Sequence, residues 1–304
     1  MSRETEKLMK QLNRFLDENL SEDATEDDLN AQASQFMAQH NANIAAGNYS
    51  DEPESADDYL DLARSAPSRK KRLEYVNKAL ELESDNLDAG LAKASLTAKS
   101  PHELLETLNT LLQQGEAQLK KEGFFESDCI GEFWGMLETR PYMRVRQQHI
   151  DTLISCGMMR KAADECERTL ELCESDNLGI RYELMHLYAY LEDEASALTL
   201  HQKFNEYEET QLLLPLVVLY YKLGDSEKSI NFLKLLTNMN KDTKKFIGAA
   251  KRQNYKKYYA EMSPYGYRPN TMDEFLEEMQ NYGFLFDSVP CFFEWAEKNL
   301  QKKK

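Results

Sequence analysis

The sequence predicts an all-α chain, an α-solenoid of stacked antiparallel helix pairs with helical extensions at both ends. Three observations carry that expectation. A helix–turn–helix pattern recurs with a period of about 34 residues. Only 12 Gly and 8 Pro are spread over 304 residues, so long stretches run without a breaker. Helix-start signals recur at Ser55 with Asp58, at Ser100-Pro101 with Glu103, and at Thr271 with Glu274. In each, a cap oxygen and an acid one turn on can satisfy N–H groups that the first turn leaves without partners. Pro101 falls where a missing N–H is no loss, and a further start is expected near Thr139-Arg140-Pro141.

Taken in order, residues 1–50 read as an acidic N-terminal extension of two short helices, the first with Leu8, Leu12, Phe15 and Leu16 as its apolar stripe. Residues 51–100 open with a linker-like stretch through Glu54 and continue as a first helix-pair repeat. Residues 101–137 read as a divergent helical pair, one longer helix followed by the apolar segment Phe133-Trp134-Met136-Leu137. Residues 138–240 hold three repeats whose turns fall at Gly157, Glu192 and Gly224, with small residues Ala162, Ala197 and Ser229 five positions after each. A glycine at such a turn takes a left-handed conformation at little cost, and a small residue lets the next helix approach closely. Residues 241–304 read as a C-terminal helical cap. Tyr255, Tyr258, Tyr259 and Met262 share a helix face there, a turn follows at Pro264–Tyr267, and Phe284–Leu300 forms a last aromatic helix.

The motifs of 138–240, and those of 55–90, resemble the tetratricopeptide repeat (TPR) family. Tyr220-Tyr221-Lys222-Leu223-Gly224-Asp225 matches the family's turn. Ala79-Leu80-Glu81-Leu82 before Ser84-Asp85-Asn86 matches its repeat end, as do Leu170-Glu171-Leu172 and Asp176-Asn177. The sequence departs from the pattern where Glu192 stands for a turn glycine, where Ser229 stands for an alanine, and in lacking the proline that usually follows each repeat. The resemblance implies a right-handed superhelix with a concave groove. Its register turns Arg144, Gln147, Asp151 and Ile154 inward in one repeat. Tyr182, His186, Ala189 and Tyr190 face inward in the next, and Gln211, Leu214, Val218, Tyr221 and Lys222 in the last. Rings with amides and cations suit the grip of an extended peptide or a partner helix; alternatively, Tyr182 and Tyr190 fill space between adjacent helices. Family members that hold a carboxyl terminus place Asn where this chain has Asp61 and Asp151, so that recognition is disfavoured.

Charge and motif content narrow the function. A net charge of −16 opposes binding of nucleic acid or anionic lipid by the chain as a whole. Acids crowd the first sixty residues, from Asp17 to Asp28 and from Asp51 to Asp58, either as a solvated face or as a docking site for a basic partner. Lys241 through Lys257 form a local basic stretch interleaved with tyrosines, read as a solvated helix face. Five cysteines without CxxC spacing fit a reducing compartment. The apolar run Leu212–Tyr221 is too short for a membrane span, and the N-terminus does not read as a signal peptide, so a cytoplasmic location is expected. No nucleotide loop, nucleophile elbow or HExxH motif is present, and the five histidines are scattered. The expectation is a non-catalytic scaffold without cofactor or metal that binds a protein or peptide. A peptide-sensing regulator is the alternative, and an enzyme using Trp134, Arg140 and Tyr142, or Tyr265, Tyr267 and Arg268, the third possibility.

Overall fold

The computed structural model describes residues 3–21, 23–46, 53–204, 209–263 and 268–301, and among these every regular element is a helix. The chain divides into two compact units, Met1–Thr152 and Leu153–Lys304. No helix of the described residues is long and apolar enough to cross a membrane.

The first unit begins with α1 (Arg3–Asn19) and α2 (Glu26–Ala46), which pack on each other through Phe15 and Phe36, 5.5 Å apart. Both exceed the short helices expected. Helices α3 (Ala56–Ser65), α4 (Arg69–Leu82), α5 (Leu87–Thr97) and α6 (Pro101–Lys121) follow, with α4 packed on α3, α5 on α4 and α6 on α5. The core of α3–α5 is small-residue packing: Ala56, Leu60, Ala63, Val76, Ala79 and Ala89, flanked by Tyr59 and Tyr75. Ser55 caps α3 in a complete capping box with Asp58, and Ser100 accepts the N–H of Glu103 at the start of α6. In place of the second helix expected within 101–137, residues 122–139 run as turns. Gly123 and Gly131 take positive φ there, at 85° and 100°, which a continuing helix cannot accommodate. The apolar residues serve an aromatic cluster instead: Phe133 lies 5.1 Å from Phe125, and Phe125 lies 6.2 Å from Tyr142 at the start of α7 (Arg140–Ser155). Gly115 answers this cluster from α6; a Cβ there would come within 2.8 Å of Leu87 and 3.0 Å of the Tyr142 ring.

The second unit holds α8 (Met159–Leu172), α9 (Ile180–Leu191), α10 (Glu194–Lys203), α11 (Thr210–Lys222) and α12 (Ser226–Met239). The turns sit where the sequence places them. Gly157 and Gly224 have φ of 74° and 76°, and Glu192 adopts the same left-handed conformation at 60°. Ala162, Ala197 and Ser229 are fully buried, and the Ser229 hydroxyl donates to the Val217 carbonyl at 2.8 Å. Every residue of α11 from Thr210 to Tyr220 is buried, because α9, α10, α12 and a C-terminal helix all pack on it. A helix apolar all round is a helix enclosed all round, which accounts for the Leu212–Tyr221 run.

Beyond α12 come α13 (Thr243–Lys251), a 3-10 helix (Tyr255–Glu261), α14 (Met272–Asn281), α15 (Gly283–Asp287) and α16 (Phe292–Gln301). The expected helix over 284–300 is therefore two helices, broken before Pro290, whose ring cannot continue the ladder. Thr271 does cap α14, but it accepts the N–H of Asp273, and Glu274 turns inward to Thr210. The Pro264–Tyr267 turn, with Tyr265 and Tyr267, lies outside the described residues.

Candidate functional site

The positions expected to face inward fall into two sets, one in each unit; α1 lies against the first, and residues of α14, α15 and α16 meet the second. In the second unit α9 and α11 run side by side, with α14 packed on α11 and α15 on α9. His186 is 0% exposed. Its Nδ1 lies 2.7 Å from the Tyr182 carbonyl, and its Nε2 lies 2.5 Å from Oε2 of Glu278, a carboxylate that is itself 0% exposed. The Tyr282 ring stacks on the imidazole at 3.9 Å. Burial pushes the Tyr282 hydroxyl well above its ordinary range, reinforced by the Glu278 charge. Tyr190 meets Phe284 edge-on at 5.7 Å, and Tyr221 meets Phe292 and Trp295 at 5.4 and 5.2 Å.

The remaining predicted positions of this unit serve the helix pairs. Tyr182 donates to Glu209 at 2.7 Å under the Arg181 guanidinium. Lys222 donates to the carbonyls of Ala189 and Tyr190, and burial lowers its pKa. Gln211, Leu214, Val218 and Ala189 are buried, and Ile154 is half-buried. A second polar knot lies at the other end of α14, where Glu274 accepts from Thr210 and, at 3.2 Å, from Asn240. Burial raises the Glu274 pKa against those hydrogen bonds.

In the first unit the corresponding face is built by α3, α5 and α7, and α1 lies on it. Arg144, half-buried on α7, donates from Nε to Asp88 of α5 at 2.8 Å and from both terminal nitrogens to Glu6 of α1 at 3.1 and 3.0 Å. Arg3 closes the other side of Asp88 at 2.7 Å. Arg140 reaches Glu6 at 3.8 Å. Lys7 pairs with Asp58 at 2.5 Å and Asp61 at 3.0 Å, and Lys10 with Asp57 at 3.1 Å. Burial pushes the Asp88 carboxyl up, but the Arg144 and Arg3 hydrogen bonds outweigh it and hold the pKa at about 2. Asp58 is also held at about 2, where burial is outweighed by hydrogen bonds from Lys7 and from Ser55. Asp61, expected to repel a carboxylate, is thus a lysine partner. Gln147 is half-buried and Asp151 exposed.

Beside α1 the same face opens into a cleft of about 440 Å³. Its floor is apolar, with Leu60, Ala63, Val76, Ala92 and Leu96, and Arg3, Arg64, Arg72 and Gln148 stand around it. Trp134, Arg140 and Tyr142 do not line this cleft. Arg140 donates to the Trp134 carbonyl at 2.8 Å and Tyr142 is fully buried, while Arg268 is exposed and paired with Asp273. In the basic stretch, Lys245 and Lys257 lie over the Tyr258 ring and Lys251 pairs with Glu297.

Sequence reading missed Arg3, Glu6, Lys7 and Lys10, although their spacing of three, one and three residues puts them on one side of α1. It also missed Glu278 and Tyr282, for which no local signal exists. No protein-family model matches the chain, and no curated protein matches it in sequence.

Proposed function

We propose that the protein is a TPR-type scaffold, non-catalytic and cytoplasmic, that binds a helix or peptide segment of a partner protein on the inner side of its helix pairs. The observation that supports this most is the α3–α5–α7 face, which accepts a helix by charge and offers an open apolar-floored cleft beside it. An apolar floor with Arg3, Arg64 and Arg72 at its rim, the first two paired with Asp88 and Asp61, suits a peptide that inserts an aliphatic side chain between polar contacts. The repeat-like turns at Gly157, Glu192 and Gly224 support the family reading.

The test is peptide display against the full-length chain, counter-screened with Ser95→Trp, which fills the cleft from an exposed position. Selected peptides should lose at least ~10-fold in affinity on the variant, about 1.4 kcal/mol. Peptides indifferent to Ser95→Trp, or none at all, would overturn the reading. The cleft volume also falls in the range of small-molecule sites, which keeps a ligand-sensing regulator as the second reading. A small ligand displaced by Ser95→Trp, with no peptide selected, would favour it.

A further inference from the structure

Helix α1 holds the α3–α5–α7 face almost wholly through charge. Among its described residues only Glu6 is buried. Its apolar residues Leu8, Leu12, Phe15 and Leu16 are half-buried on the helix that packs with α2. The charged side of α1 carries Arg3, Glu6, Lys7 and Lys10, and each finds a complement on the face. Arg3 meets Asp88, Glu6 meets Arg140 and Arg144, Lys7 meets Asp58 and Asp61, and Lys10 meets Asp57. Arg144 does not depend on α1 for its charge balance, since it also grips Asp88 on the neighbouring helix. When α1 leaves, the face keeps Arg144 paired with Asp88; it loses the buried pairs of Glu6 with Arg140 and Arg144, and it loses the pairs of Arg3, Lys7 and Lys10, which are partly exposed. Pairs of the latter kind each contribute little and are screened by salt.

We propose that α1 is a resident, displaceable occupant of this face, and that the face docks a helix of another protein with the same charge order: cation, acid three residues on, cation at the next residue, cation three later. Asp57, Asp58, Asp61 and Asp88 select for a basic helix, and Arg140 and Arg144 fix its register through the single acid. The partner must out-compete α1, which sets a threshold on binding. This rests on the scaffold reading above and names the partner class for the region beside its cleft.

Two measurements on the full-length chain test it. In the wild type, hydrogen exchange at α1 amides should accelerate at least ~10-fold from low to high salt while α4 amides stay protected. A labelled peptide of residues 3–21 should bind the Lys7→Glu/Lys10→Glu chain at least ~10-fold more tightly than the wild type, whose own α1 competes. A peptide with the same residues in shuffled order should not bind. The proposal is overturned if α1 exchanges in step with α4 at both salt concentrations, or if the peptide binds neither chain. Equal binding of the shuffled peptide also overturns it. Dimers of the variant with the wild type formed through α1 would make a second copy the occupant and overturn the choice of a foreign helix. The wild-type exchange result decides the matter even if the variant fails to fold. None of these failures touches the scaffold reading while cleft peptides sensitive to Ser95→Trp exist, and loss of those peptides alone would leave the α1 result standing.

Discussion

Helices α1 and α14 each lie on a face built by other helices of their own unit, yet they hold by opposite means. From Met272 to Leu276 every residue of α14 is buried, and Phe275 stacks on Phe246 at 4.4 Å. Its polar residues finish the seal: Glu278 against His186, Glu274 against Thr210 and Asn240. Helix α1 buries one residue, Glu6, against Arg140 and Arg144, and otherwise relies on ion pairs at the edge of solvent. Apolar area removed from water contributes about 25 cal/mol per Å² and is not screened by salt, whereas an exposed ion pair contributes about 0–1 kcal/mol and fades as salt rises. One helix is a structural wall of its unit; the other is an attachment that can exchange.

The contrast fails first if Phe275→Ala is tolerated. Removing that fully buried ring should cost about 3–5 kcal/mol in denaturant unfolding. Next comes Glu278→Ala, which strands the buried His186 imidazole and should cost about 1–3 kcal/mol by the same measurement. Lys7→Glu with Lys10→Glu should lower global stability by no more than about 1 kcal/mol, a loss that shrinks at high salt. A cost on the scale of Phe275→Ala would make α1 a wall as well.

Acid separates the two helices by sign. Asp58 and Asp88 are held at about 2, below their ordinary 3.8. Their contribution is present above 3.8 and lost as pH falls through 2. Glu274 is raised, so its neutral form is favoured in the folded chain, and its contribution is present at low pH and lost as pH rises through the folded value. Amide exchange between about pH 4 and pH 2 should therefore expose α1 while α14 stays protected. The smallest effect is expected at Glu192→Gly, which relieves a left-handed conformation and should stabilise the second unit by up to about 1 kcal/mol, less what the 3.5 Å pair with Lys222 contributes.

Much of the scaffold was legible in particular residues. Ser55 with Asp58, and Ser100 with Pro101, mark helix starts because a cap and its N–H donors lie within one turn. Gly157 and Gly224 mark turns because only glycine takes that φ without strain, and the position of Glu192 in the repeat reveals a turn that its residue type conceals. The turns of 122–139 escaped notice because Phe133 and Trp134 resemble a helix stripe; their spacing serves a ring cluster with Phe125 and Tyr142. Arg144, His186, Tyr190 and Tyr221 meet partners far along the chain, and the repeat pattern is silent about those partners.

The amino-acid order alone thus settles most of the helices, the caps at Ser55 and Ser100 and the left-handed turns at Gly157 and Gly224, since these depend on hydrogen bonds and steric contacts a few residues apart. Folding decides what the inward side chains meet. Glu6 finds Arg144 across 138 positions and His186 finds Glu278 across 92. Such pairs are chosen by which charges and rings the packed helices bring within reach of one another. No local pattern of residues encodes that distance.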